Sequence, residues 1–417
     1  MTHPSPVTAA DGLITEITTQ AARPLEQAIA LPPSAYTDEG FHAVERERVF
    51  RSGWLCVAHV SEVPEVGSFL ALDLVDEPLV VVRGRDQAIR VLSRVCPHRS
   101  MDIMPGDSAF PRPGEARLFS CPYHAWTYEL DGSLRGCPHM EQAADFNRAD
   151  WPMPLVRSDI WNGFVFVNLD GSATPVSQHY GDLDDLLAPW RIPEMQIAIS
   201  MDWECDFNWK VMIENWMESY HHIGAHRDTL NRIMPGQNTW IEPEHPYYIH
   251  AHLPYTDDLK EQTRATIARG ERVPGFMAIP GLSEEQQTEW GLHVGYPFFM
   301  FLTMPDRLLW YRLLPLSAGK CRLQTMTLVS RDTMQSPDLP AMLEAETPLL
   351  RDFHLEDMMV NTGVQKGLMS RLARGRGRLS HLEEPVWLIQ RYLAARLAGR
   401  LPEKAARRPY YGPKAAE

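Results

Sequence analysis

Short apolar runs separated by turn residues dominate the first third of this chain after residue 52. Phe69–Leu74, Leu79–Arg83 and Ile89–Leu92 are apolar or alternating stretches bounded by Gly, Pro or Asp, the pattern of half-buried strands. Trp126–Leu130 followed by Asp131-Gly132 predicts a hairpin and its turn, and Ile160–Asn168 closes the block. Gly106–Arg117 is rich in Pro and Gly and reads as a surface loop. Ahead of these strands, residues 38–52 place Phe41, Val44, Val49 and Phe50 at helical spacing, so a short amphipathic helix is expected there. Residues 1–37 are polar and Pro-bearing and read as a loose arm.

Farther on, Phe298–Leu302, Leu308–Leu314 and Arg322–Val329 predict strands of a second sheet, and Pro385–Ala394 a terminal helix. Asn208–Trp216 has helical periodicity through Trp209, Met212, Ile213 and Trp216, and the helix is expected to loosen near Gly224. Residues 254–290 are polar, with Gly270, Pro274 and Pro280, and are expected to form a lid. Trp240, Phe276, Trp290 and Tyr296 are read as core in preference to an aromatic cage.

Composition narrows the class. With 417 residues the chain is long enough for two or three domains, and 44% hydrophobic and 23% charged residues are ordinary for a globular enzyme. A formal charge of −14 and a pI near 5.6 argue against nucleic acid as a partner. No run of 18 apolar residues is present, so no membrane span is expected, and the first residues lack a charged-then-apolar leader pattern. Six cysteines in so long a chain do not make a disulfide framework. Cys56, Cys205 and Cys321 read as reduced core thiols, and a cytoplasmic setting is expected.

The chemistry concentrates in two places. Cys96-Pro97-His98 and Cys121-Pro122-Tyr123-His124 lie 25 residues apart and pair one thiolate with one imidazole each. Two Cys and two His suit a tetrahedral zinc or a [2Fe–2S] centre with one iron held by His. C-x-H is an unusual zinc step, which favours the cluster. Cys137-Pro138-His139 has no second half and is read as a decoy. Downstream, His221 and His226 are five residues apart, and a carboxylate from Glu356-Asp357 would complete the two-His-one-carboxylate set of non-haem Fe(II) oxygenases.

Taken together, C-x-H, C-x-x-H with Trp126 after it, then His221, His226 and Asp357 eight residues before Gln365, resemble the α subunit (terminal oxygenase) of Rieske non-haem iron ring-hydroxylating oxygenases over roughly residues 38–400. The resemblance implies an α+β fold, with a small all-β Rieske domain and a catalytic domain whose curved antiparallel sheet is covered by helices. It implies an N-terminal arm over 1–37, a Rieske domain with its leading helix over 38–165, and a catalytic domain over 166–417. Cys96, His98, Cys121 and His124 would hold a [2Fe–2S] Rieske cluster. His221, His226 and Asp357 would hold mononuclear Fe(II), with Glu356 the neighbouring alternative. Glu218 would link the two centres across a subunit boundary, supported by Asn215 and Tyr220.

The chain shows neither G-x-G-x-x-G after a strand nor G-x-x-x-x-G-K, so a separate reductase or ferredoxin is expected to supply electrons. O2 and a small organic molecule would be the substrates. A head-to-tail homotrimer is expected, because within one chain the two centres should lie too far apart. Glu at position 218 resembles the branch acting on carnitine and other quaternary amines, beside aromatic-acting members. The 22 residues between His98 and Cys121 exceed the common gap and resemble alkanesulfonate-oxidising members. Ala125 stands where Gly commonly follows the second His. A Rieske electron-transfer protein without oxygenase activity and a zinc-stabilised binding protein are the readings from other classes.

Overall fold

The computed structural model describes residues 6–106 and 109–400. They form two compact units: residues 51–178, and residues 6–50 together with 179–400. The expected boundaries at 38 and 165 differ from this division at 51 and 178. The helix Glu39–Glu45, expected to lead the β unit, packs into the other unit, where Phe41 is buried and Glu45 accepts hydrogen bonds from Lys210 Nζ (2.7 Å) and Trp209 Nε1 (3.2 Å).

The 51–178 unit is all β. Its strands are β1 (Leu55–His59), β2 (Ser68–Leu74), β3 (Glu77–Arg83), β4 (Ile89–Ser93), β5 (Arg112–Glu115), β6 (Phe119–Ser120), β7 (Thr127–Tyr128), β8 (Leu134–Gly136), β9 (Leu155–Trp161) and β10 (Phe164–Asn168). Seven make one sheet in the order β1-β10-β9-β4-β3-β2-β5, and β6-β7-β8 make a second. Part of the expected 106–117 loop is β5, which pairs with β2 at the sheet edge, where Pro113 is tolerated. The closing run 160–168 spans a hairpin, from the end of β9 into β10. Asn162 (φ 46°) and Gly163 (φ 78°) form its two-residue turn, the Asn-Gly signal whose backbone twist matches that of the flanking strands.

In the larger unit, β11 (Gln196–Cys205), β12 (Trp240–Ile241), β13 (Tyr248–Pro254), β14 (Glu289–Gly295), β15 (Phe299–Thr303), β16 (Leu308–Ser317) and β17 (Lys320–Val329) form one antiparallel sheet, ordered β11-β17-β16-β15-β14-β13-β12. The strands of the middle are buried on both faces, which explains their near-continuous apolar runs. The helix Trp209–Trp216 packs on the 30-residue helix Leu339–Leu368. That long helix turns a stripe inward at Leu350, His354, Asp357, Asn361 and Gln365, a spacing of three and four residues made mostly of polar groups. Gln365 Oε1 accepts from the Asn208 backbone N–H (3.0 Å), so the stripe fixes the start of the shorter helix.

The expected loose arm is structured. Pro6–Ala21 is a helix whose Ala10, Leu13, Ile17 and Ala21 are buried, and it packs on the terminal helix Glu384–Leu397. Tyr36 Oη donates to both Glu214 carboxylate oxygens (2.9 and 2.7 Å), tying this segment to the helix 209–216. No helix among the described residues is long and apolar enough to cross a membrane.

Candidate metal centres

The two Cys/His motifs occupy matched loops. After β4, the Cys96 N–H donates to Met101 O (2.9 Å) and the Ser100 N–H to Cys96 O (2.9 Å), with Ser100 at φ 55°. After β6, the Cys121 N–H donates to Trp126 O (2.8 Å) and the Ala125 N–H to Cys121 O (3.0 Å), with Ala125 also at φ 55°. Each loop thus folds back on its own cysteine through a left-handed residue at the same offset. Ala125 pays for that conformation in steric strain that glycine avoids.

These loops bring all four expected ligands together in one part of the unit. The His98 and His124 rings have centroids 4.6 Å apart, and His98 lies flat on Trp126 (4.6 Å, 5°). The Nδ1 atoms of both histidines are buried without a hydrogen-bond partner, an arrangement that costs roughly 1–3 kcal/mol per atom unless a ligand takes it up. Cys96 and Cys121 are buried in the same apolar cluster, and Cys96 Sγ lies 3.1 Å from Tyr128 Oη. Burial pushes the Cys121 thiol up, while the backbone N–H groups of Tyr123 and His124 pull it down. Burial, with the charge of His124, pushes His98 down, which leaves a neutral imidazole. Two thiols and two orphaned imidazole nitrogens fit an asymmetrically ligated [2Fe–2S] cluster. In the decoy motif Cys137 is buried in the core and His139 is exposed, so the pair is not assembled.

The second set lies in the larger unit. The helix ends at Trp216, eight residues before Gly224 where it was expected to loosen, and the chain runs through Glu218 into a short turn carrying His221. His221 Nδ1 pairs with Glu218 Oε1 (2.8 Å), and His226 Nδ1 with Glu356 Oε2 (2.6 Å). The opposite nitrogens face one atom: His226 Nε2 is 2.9 Å and His221 Nε2 3.6 Å from Asp357 Oδ1. One donor atom from each of His221, His226 and Asp357 lies within 4.8 Å of the others.

Glu356 therefore sits behind His226 while Asp357 sits in front of both imidazoles. Adjacent positions on a helix point about 100° apart, so one acidic pair can serve both places. Sequence reasoning treated the two as rivals for one role and missed this division; the signal was the doubled carboxylate itself. It also missed Thr229, whose hydroxyl donates to Glu356 Oε2 (2.6 Å). Burial pushes the Asp357 carboxyl up, but the hydrogen bond and charge of His226, with His221 and His354, hold it below its ordinary value. Burial pulls His226 down, and the Asp357 and Glu356 carboxylates more than reverse it. His222 is turned away: its Nδ1 pairs with Met234 O (2.9 Å), and burial, with the charge of His221, pushes it down to about 4.

A cavity of about 850 Å³ has in its wall Thr229, which bonds Glu356, and Phe353, one helical turn before Asp357, while His221, His226 and Asp357 themselves do not line it. Tyr255, Phe276 and Trp290 supply aromatic surface, and the expected lid, 254–290, provides much of the lining as the helix Asp257–Ala268 and the irregular chain after it. Phe276, Trp290 and Tyr296 are buried, but Phe276 and Trp290 also line the cavity, so the preference for core over pocket is not met at those two positions, and Trp240 is only half-buried. The charged groups lining the cavity are Glu271, Asp306, Glu346 and Asp352 against Arg272 and Arg307, four carboxylates to two guanidiniums. Arg307 is already paired with Asp306 (2.7 Å) and Glu346 (2.8 Å).

Comparison with known proteins accords with this geometry. The Rieske [2Fe-2S] domain family matches residues 53–148, and the ring-hydroxylating α-subunit catalytic domain family matches residues 192–399. The carnitine monooxygenase oxygenase subunit of Escherichia coli is 28% identical over 366 residues, covering 85% of this chain and 88% of that protein. The biphenyl dioxygenase α subunit of Paraburkholderia xenovorans is 33% identical over 247 residues, but covers only 55% and 51% of the two. The crystal structure of a quaternary ammonium Rieske monooxygenase superposes with a TM-score of 0.75 at 24% identity, over 91% of this chain and 98% of that one.

Proposed function

This chain belongs to the Rieske-type ring-hydroxylating oxygenases as an α subunit, and from that membership we propose that it oxidises a small quaternary ammonium compound at a carbon next to nitrogen. Enzymes of this class take electrons from a separate donor and insert oxygen from O2 into a small organic molecule. The net reaction proposed is R–H + O2 + 2 electrons + 2 protons giving R–OH and water, after which the hydroxylated carbon–nitrogen bond cleaves.

The convergence of His221 Nε2 and His226 Nε2 on Asp357 Oδ1 carries the assignment of the oxygenase site. On this reading His221, His226 and Asp357 hold Fe(II), while Cys96 and Cys121 with His98 and His124 hold the [2Fe–2S] cluster. Bound there, the cluster relays single electrons and the iron activates O2. The chain's own work is to hold the donors. Glu218 and Glu356 fix the two imidazoles through Nδ1, leaving each Nε2 directed at the shared point. Glu218 also lines a second cavity of about 370 Å³, and in the head-to-tail trimer that we propose a neighbouring subunit approaches it from that side.

For the substrate, the four carboxylates around the 850 Å³ cavity are each paired with a guanidinium, Asp306 and Glu346 with Arg307, Glu271 with Arg269 and Asp352 with Arg351, and Arg307 also covers the Phe276 ring, so the support for a cation is the aromatic surface of Tyr255 and Trp290, which suits an alkylammonium by cation–π attraction. The carnitine-oxidising relative, matched over most of both chains, points the same way. The decisive experiment offers betaines and carnitines, aromatic acids and alkanesulfonates to the protein with a generic reductase. O2-dependent release of amine or aldehyde from the first group alone is expected; turnover confined to aromatic rings or sulfonates overturns the substrate class. Light scattering tests the trimer, and a fully active monomer refutes it.

A further inference from the structure

We infer that Glu242, His250 and His252 form a second transition-metal site, of the kind that takes zinc, on the face of the large sheet opposite His221, His226 and Asp357. The three residues come from the sheet edge. His250 and His252 are two apart on β13 and so point to the same side. Glu242 directly follows β12, and its backbone N–H donates to His250 O (2.9 Å), which sets it opposite that histidine. One donor atom from each residue lies within 4.8 Å of the other two.

The imidazoles are held as ligands are held. His252 Nδ1 pairs with Glu289 Oε1 (2.8 Å), which leaves Nε2 for coordination. That Nε2 is buried without a hydrogen-bond partner, 3.5 Å from Glu242 Oε1. A carboxylate behind a histidine is the same buttress that His221 and His226 possess. Ring stacking fixes the rest: Trp240 lies flat on His252 (3.7 Å, 7°), and His293 lies flat on His250 (4.6 Å, 14°). Burial, with the charges of His293 and His252, keeps His250 well below its ordinary range and hence neutral, the form that binds a metal.

Strand register separates this cluster from the oxygenase site. Ile249, Val294, Met300 and Tyr311 are partners across β13 to β16, and Tyr311 faces the first site, its ring 5.6 Å from both Trp216 and His354. His250, His293 and Phe301 form the neighbouring row, one residue out of phase, and therefore project from the other face. Two imidazoles and one carboxylate suit zinc or a similar borderline divalent ion, whereas Ca2+ and Mg2+ prefer all-oxygen sets. Such an ion would clamp the two-residue strand β12 to β13. The chain just before it is tied by Thr239 Oγ1 and Ser219 Oγ (3.0 Å) to the residue following Glu218.

The test uses full-length, cluster-loaded protein carrying His221→Ala and His226→Ala, so that the first site does not compete. After dialysis against zinc and washing, metal analysis should find one equivalent of zinc per chain, and anomalous scattering at the zinc edge should place it beside His250 and His252. Adding His252→Asn should remove it. Should that variant misfold by circular dichroism, Glu242→Gln, at a side chain 41% exposed, decides instead, with affinity at least ten-fold weaker expected. No retained zinc in the parent protein, or retention unchanged by the deciding variant, overturns the site. Neither result bears on the proposed oxygenase reaction.

Discussion

The two donor sets assigned to the oxygenase are organised by different means. The backbone arranges the Cys96/His98/Cys121/His124 set: two loops repeat the same pair of main-chain hydrogen bonds and the same left-handed residue, and the side chains follow. Side-chain carboxylates arrange the His221/His226/Asp357 set: Glu218 and Glu356 each hold one ring from behind, and the third donor arrives from a helix more than a hundred residues away. The first arrangement is local and tolerates changes in the loop between its halves. The second depends on how a long helix packs, so it is sensitive to every group that fixes that helix.

Asp357 is where this contrast breaks most completely. Asp357→Ala removes the atom that both Nε2 nitrogens face, so triad iron and oxygenation should fall to background while the visible spectrum of the cluster is kept, because the two sets lie in different units. Iron counting alongside the spectrum checks it; loss of both centres together would deny their independence. Glu356→Ala leaves all three donors in place and removes the buttress of His226 together with the acceptor of the Thr229 hydroxyl. Iron affinity should drop about 10–100-fold, measured by competition with a chelator; wild-type affinity would mean that packing alone orients the ring. The smallest effect is in the backbone-organised set. Ala125→Gly relieves the left-handed conformation at φ 55° and should stabilise the cluster-loaded protein by about 0.5–1 kcal/mol in thermal or denaturant unfolding. Unchanged or reduced stability would show that the loop is not strained there.

The same contrast governs what could be read from the chain beforehand. Cys96, His98, Cys121 and His124 stand close enough together for spacing alone to pair them. The strands around them alternate or stay apolar within a few residues, which is why β2, β3 and β4 were legible. The hairpin at Asn162-Gly163 carried a strong local signal that was passed over within the run 160–168. Glu356 and Asp357 could be found as candidates but not told apart, since their roles differ only by rotation about a helix whose packing is tertiary. β13 and β14 were not anticipated. Each places polar residues such as His250, His252 and His293 on its buried face, where a half-buried strand would show apolar ones. The N-terminal helix was missed for a related reason: its apolar stripe is only Ala10, Leu13, Ile17 and Ala21, and its ordering comes from the terminal helix it meets.

The division of the chain has a consequence for synthesis. Residues 51–178 form a self-contained unit interrupting another whose two parts lie on either side of it. As the polypeptide leaves the ribosome, the early segment cannot find its partners. Glu45 waits for Lys210, 165 residues later, and Tyr36 for Glu214, 178 residues later. At typical elongation rates that is an interval of roughly 10–30 s, long enough for the intervening all-β unit to emerge whole and fold. The unit with the Cys96/His98/Cys121/His124 set can therefore fold first, and the larger unit closes around its N-terminal segment only after residues 179–400 have emerged.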